Sequence, residues 1–228
     1  MLLENLGIVN GALWSDLDGD GDGELVLACE WGPVRIFDWR GGRLTEVTAA
    51  LGLSAHTGWW RAVAAGDFDS DGRMDLVVAN AGRNGPYRAT AAQPLIFAYG
   101  ELAQPGVVDV IETEYAGNAL VPRLQKAALV PSLPFLLERY PDDRSYSLAS
   151  LGEVLGERAV LSRRVQVSTL DTMVFLNRAS GGFLAVPVPE MVQRAPAFGL
   201  AVADFDGDGN DDVFVAQNLN TTRREVGR

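Results

Sequence analysis

The chain has 228 residues, 47% of them hydrophobic, and a formal net charge of −11; that is long and apolar enough for a sizeable buried core. A single cysteine, Cys29, excludes an internal disulfide framework and reads as a small buried hydrophobe. No run of eighteen apolar residues marks a membrane-spanning helix, no basic stripe suits nucleic acid, and the opening Met1-Leu-Leu-Glu-Asn-Leu-Gly7 lacks the regions of a signal peptide.

In chain order, an apolar stretch from Ile8 to Trp14 leads into Asp16-Leu-Asp18-Gly-Asp20-Gly21-Asp22-Gly-Glu24, and a strand-like run to Cys29 follows. The same design returns at Asp67-Phe-Asp69-Ser-Asp71-Gly72-Arg73-Met-Asp75 and at Asp204-Phe-Asp206-Gly-Asp208-Gly209-Asn210-Asp-Asp212. Each loop has acids at positions one, three, five and nine and glycine at six. Ca²⁺ takes six to eight oxygens, and such a turn offers four carboxylates plus the position-seven carbonyl of Asp22, Arg73 or Asn210. About three Ca²⁺ are expected. An EF-hand would need a glutamate at position twelve, where this chain has Leu27, Val78 and Val215. A β-branched run follows each loop, so each is expected to close a β-hairpin. Nearly half of the 30 acidic residues sit in these loops, so the negative charge points to cations more than to a basic partner.

The run Val34 to Val47 reads as strand, glycine turn (Gly41-Gly42), strand, and Val174 to Val186 repeats it around Gly181-Gly182. A caged hairpin followed by a glycine-turned hairpin makes a four-stranded propeller blade. Four units are expected, at about 1–66, 67–100, 101–203 and 204–228, the last truncated. The third opens on Glu101-Leu-Ala103-Gln-Pro105-Gly106-Val-Val-Asp109, which keeps the turn but offers no side-chain oxygen at positions three and five. An insertion of roughly 117–163 should hold one amphipathic helix through Tyr146, Leu148, Leu151, Val154, Leu155 and Ala159, capped by Ser145 or Ser147. It could cover a sheet edge or cap a binding face.

The strings around Asp67 and Asp204 resemble FG-GAP or VCBS repeats, the calcium-binding blades of integrin α-subunit propellers and of many secreted bacterial proteins. Gly58-Trp59-Trp60, leading into a cage, is similar to the family related to cartilage acidic protein, in which such repeats precede an ASPIC/UnbV domain. The resemblance implies an all-β propeller of six or seven blades. Further blades, an ASPIC/UnbV domain and an export signal are therefore expected outside this segment, or else an open arc that a second copy completes. The function implied is non-catalytic: an extracytoplasmic, calcium-stabilised propeller for adhesion or for recognition of a protein or carbohydrate ligand. The alternative is the propeller of a secreted enzyme such as a polysaccharide lyase or a phospholipase. No catalytic motif carries that alternative, and the one histidine, His56, offers at most a base. The tryptophans read as core residues in preference to a sugar platform.

Overall fold

The computed structural model describes residues 3–218. The chain forms two compact units, Met1–Arg88 with Ser168–Arg228, and Ala89–Val167. In chain order the strands are β1 (Ile8–Ser15), β2 (Glu24–Arg40), β3 (Arg43–Glu46), β4 (Thr57–Trp59), β5 (Ala62–Gly66), β6 (Asp75–Ala79), β7 (Leu95–Gly100), β8 (Asp109–Ala116), β9 (Ala119–Pro122), β10 (Arg163–Val167), β11 (Met173–Asn177), β12 (Phe183–Pro187), β13 (Ala197–Ala203) and β14 (Asp212–Gln217). Four short helices, α1 (Lys126–Leu129), α2 (Phe135–Arg139), α3 (Asp143–Ser147) and α4 (Leu151–Leu155), lie in the second unit.

In the first unit, β1, β2 and β3 pair antiparallel in that order, and β4 joins β2. The long β2 is not one straight strand. Leu27 and Cys29 share a buried cluster with Phe37, although ten residues of extended chain would put Leu27 about 33 Å from Phe37. Trp31, whose φ of 63° is left-handed, is a β-bulge: β4 pairs with β2 on both sides of it, Glu30 opposite Trp59 and Gly32 opposite Gly58, and β2 bends there within a four-stranded sheet of β1, β2, β3 and β4. The second sheet runs β12-β11-β6-β5. Every residue of β6 is buried, as an interior strand covered on both faces requires, and this explains its unbroken Leu76-Val-Val-Ala79. The two sheets meet through Val26, Ile36, Trp60, Leu76, Val78 and Phe175. A third hairpin pairs β13 with β14.

The strands that lead into the three acidic loops lie side by side. A Cβ on Gly11 of β1 would come within 3.3 Å of the Ala62 Cα of β5, and one on Gly66 of β5 within 2.7 Å of Val202 Cγ1 on β13. Small residues at these points let neighbouring sheets approach. In the first unit the described residues form two four-stranded sheets and one hairpin, and they do not close into a barrel or a propeller.

The sheet pairing departs from the expected units. β11 pairs with β6, Met173 opposite Val78 and Phe175 opposite Leu76, so the Gly181-Gly182 hairpin completes the sheet of β5 and β6, the hairpin that holds the Asp67 loop. It does not belong to a unit opening at Glu101. The chain between β6 and β11 holds the separate Ala89–Val167 unit, larger than the expected 117–163 insertion and including the Glu101 loop. The end of the expected 204–228 unit lies partly outside the described residues.

The second unit has its own sheet, ordered β10-β7-β8-β9, and its own core. Ala98, Leu102 and Ile111 from the sheet region pack with Leu133, Leu136, Tyr146, Leu151, Val154 and Leu155. The single helix expected here is two helices, because Ser150 starts a new one. Its side chain accepts from Glu153 N–H while the Glu153 carboxylate accepts from Ser150 N–H, a complete capping box for α4. Asp142, not Ser145 or Ser147, caps α3. Leu148, at the break, is 76% exposed.

Candidate metal centre

All four loops are wired alike. The position-one carboxylate accepts the N–H of the glycine at six: Gly21 to Asp16 Oδ2 at 3.1 Å, Gly72 to Asp67 Oδ2 at 2.9 Å, Gly209 to Asp204 Oδ2 at 3.0 Å and Gly106 to Glu101 Oε2 at 3.0 Å. These four glycines have φ between 79° and 91°, which an L side chain resists. The position-nine carboxylate accepts the N–H of position two: Leu17 to Glu24 Oε2 at 2.7 Å, Phe68 to Asp75 Oδ2 at 2.9 Å, Phe205 to Asp212 Oδ2 at 3.0 Å and Leu102 to Asp109 Oδ2 at 3.2 Å. The turn thus closes through its first and last acids.

That leaves three acidic clusters able to hold a metal ion. Oxygens of Asp16, Asp18 and Glu24, of Asp67, Asp69 and Asp71, and of Asp204, Asp206 and Asp212 lie within 4.8 Å of one another in each group. The donor set is all oxygen, as a hard divalent cation prefers. Glu24 is 3% exposed, yet its Oε1 is buried without a hydrogen-bond partner. Burial, with Asp18, Asp38 and Asp20 nearby, pushes its carboxyl above the usual range against the opposing Leu17 N–H. A buried carboxylate oxygen with no donor is costly, and a cation at this loop would relieve it. The residues present fit a calcium ion.

The remaining expected ligands are placed differently. Asp20 accepts Asp22 N–H at 2.9 Å, Asp208 accepts Asn210 N–H at 2.8 Å, and neither joins the tight triads. Asp22, Arg73 and Asn210 occupy position seven, where their backbone carbonyls were the expected donors. Asp75, fully buried, uses both oxygens on backbone: Oδ2 on Phe68 and Oδ1 on Asn177 N–H at 2.7 Å. Burial raises its carboxyl, and these two N–H donors oppose the shift. In the Glu101 loop, Ala103 N–H also turns to Asp109, at 3.0 Å, so the hydrogen-bonded turn persists without a carboxylate triad.

Three residues missed from the sequence tie the loops together. Asn177 donates its side-chain N–H to Leu17 O at 2.6 Å while its backbone N–H reaches Asp75, joining the first loop to the second. Asp211 accepts Asp67 N–H at 2.9 Å, and Ser70 donates to Asn210 Oδ1 at 2.6 Å, joining the second to the third. The bonds span 160, 144 and 140 residues, and no local sequence signal announces them. Guanidinium groups also attend two loops. Arg40 Nη2 lies 2.5 Å from Asp18 Oδ2 and 3.2 Å from Asp20 Oδ2, Arg178 Nη1 lies 2.5 Å from Asp69 Oδ2, and Arg73 pairs with Asp71.

His56 packs edge-on to Phe175 at 5.6 Å, and burial lowers its pKa. Trp60 is fully buried against the same Phe175, and Trp59 meets both Trp31 and Tyr87 edge-on. No helix among the described residues is long and apolar enough to cross a membrane.

Among curated proteins nothing matches the chain. Residues 16–78 match the FG-GAP-like repeat model, a segment that runs from the first acid of the first loop to the strand beyond the second, and nothing points specifically to an ASPIC/UnbV-associated family.

Proposed function

We propose that this chain is part of a calcium-stabilised β-propeller that serves in adhesion or ligand recognition outside the cytoplasm, with Ca²⁺ at the Asp16, Asp67 and Asp204 loops. The observation that carries the reading is Glu24 Oε1, a buried carboxylate oxygen without a partner at the edge of an all-oxygen triad. The FG-GAP-like match over 16–78 and the side-by-side approach of β1, β5 and β13 support the propeller. The ligand set proposed is Asp16, Asp18, Asp20, Asp22 and Glu24; Asp67, Asp69, Asp71, Arg73 and Asp75; and Asp204, Asp206, Asp208, Asn210 and Asp212, with the position-seven residues acting through their carbonyls.

Crowded carboxylates repel, so a cation that replaces repulsion with coordination couples metal binding to folding. Sites of this openness suit extracellular calcium levels, with dissociation constants on the order of 10⁻⁴ to 10⁻³ M, which favours an exported protein. Calorimetric titration tests the reading. The intact chain should take up about three Ca²⁺, Asp69→Ala should remove one, and Glu101→Ala should remove none. An unchanged stoichiometry in Asp69→Ala, or a lost ion in Glu101→Ala, would refute the assignment.

A further inference from the structure

The Asp67 loop differs from its two neighbours in what already neutralises it. Asp67, Asp69, Asp71 and Asp75 occupy positions one, three, five and nine, as Asp204, Asp206, Asp208 and Asp212 do in the third loop, so both turns carry the same carboxylates at the same places. Position seven is Asn210 in one and Arg73 in the other. Arg73 turns back onto its own loop, where Nη2 pairs with Asp71 and Nε donates to Asn177 O at 3.2 Å. Arg178, from the turn between β11 and β12, reaches the same loop, with Nη1 2.5 Å from Asp69 Oδ2 and 4.0 Å from Asp71 Oδ2. Among the described residues the arginines paired with acidic loops serve the first and second, and none serves the third.

The close triads differ accordingly. In the first and third loops they join positions one, three and nine, but in the second they join Asp67, Asp69 and Asp71, while Asp75 has both oxygens on backbone N–H groups. Two members of that triad therefore hold a guanidinium already, and their side chains are only 27% and 22% exposed. In the first loop Asp22 adds a fifth acid, and its arginine, Arg40, is 61% exposed, where water screens the pairing. A divalent cation entering the Asp67 loop either displaces Arg73 and Arg178 or sits beside them, and both lower its affinity.

We propose that Arg178 and Arg73 set the calcium affinity of the Asp67 loop, making it the weakest of the three sites and the last to fill, so that the chain loads calcium in two stages. The inference rests on the calcium reading above. The Asp67 loop is bonded to Leu17 of the first loop through Asn177 and to the third loop through Asp211 and Ser70, and its arginines neutralise this shared neighbour before any calcium binds.

Calorimetric titration of the whole chain with calcium chloride tests it. The parent should take up two tighter ions and one about tenfold weaker. Asp69→Ala should abolish the weaker stage, and Asp206→Ala one of the tighter ions. Arg178→Gln should tighten the weaker stage about fivefold and leave the tighter ones unchanged, and so should Arg73→Asn, which keeps the position-seven carbonyl and copies the third loop. Arg164→Gln, at an exposed arginine of the second unit, should alter neither stage. The gain in Arg178→Gln should shrink between about 0.05 and 0.5 M potassium chloride, as screening of a charge effect requires; a gain independent of salt would mean that Arg178 acts by shape and would overturn the competition. If Arg178→Gln does not fold by circular dichroism, Arg73→Asn decides. Three ions of equal affinity, loss of a tighter ion in Asp69→Ala, or unchanged affinities in both arginine variants overturns this inference and leaves the calcium reading standing, whereas no calcium binding overturns both.

Discussion

Asp75 stands at position nine of its loop, as Glu24 does, yet the two carboxylates are used differently. Glu24 keeps one oxygen without a donor, whereas Asp75 spends one on Phe68 and the other on Asn177. Asp75→Ala would leave one buried N–H, of Asn177, and one half-buried N–H, of Phe68, unpaired, at about 1–3 kcal/mol each. We expect a loss of roughly 3 kcal/mol in urea unfolding in EDTA and a further loss in calcium from the missing ligand; a loss confined to calcium would show that the two hydrogen bonds contribute nothing. The loop pattern was legible because it is local, nine residues closing on themselves through hydrogen bonds to the first and last acids. The Asn177 bridge was not, since its partners are remote in sequence and asparagine after a strand suggests only a turn. His56 gives a prediction in pH. Burial depresses its folded pKa, so the folded state stays neutral while the unfolded chain takes up a proton below its ordinary value near 6.5. Its contribution is complete above that value and is lost as pH falls toward the depressed folded pKa. In EDTA, His56→Gln should flatten the decline in urea midpoint between pH 7.5 and 5.5, and an unchanged slope would remove His56 as the cause.

At the scale of elements, the hairpins on either side of each loop were readable from β-branched runs bounded by acid and glycine, while the helices of the second unit were misjudged. The apolar spacing from Tyr146 to Ala159 approximates one helical face, but Ser150-x-x-Glu153 within it is itself a start signal, and a start inside a run divides it. The resulting capping box satisfies two backbone donors at the head of α4, which buries Leu151, Val154 and Leu155 in the second unit's core. Ser150→Ala should cost that unit about 1 kcal/mol. Hydrogen exchange can localise the effect: the α4 amides should lose protection while those of β6 keep theirs. Equal loss in both would show that the cap acts on the molecule generally and not on its own unit.

The whole molecule is organised by a pairing that sequence order conceals. β6 and β11 are partners in one sheet, but the chain between them folds as a unit of its own, and reading units in succession assigns the Gly181-Gly182 hairpin to the wrong loop. The point of departure and the point of return lie together. Asn80 donates from its side chain to Thr169 O and Asp171 O, both at 3.1 Å, Gly82 N–H reaches Leu170 O at 2.7 Å, and Arg83 forks onto Asp171 at 2.7 and 2.6 Å. A close approach of this kind lets a sheet tolerate an insertion, because the entropy of closing a longer connection rises only slowly with its length. The same geometry predicts that the insertion can be removed. Replacing 89–167 with a short glycine–serine linker deletes the Glu101 loop but none of the three carboxylate triads, and it leaves the cluster of Val26, Ile36, Trp60, Leu76 and Phe175 whole. The shortened chain should unfold cooperatively and still take up about three Ca²⁺ by calorimetry. A chain that no longer unfolds cooperatively, or one that loses the Asp67 site alone, would mean that the inserted unit is needed to hold β6 against β11.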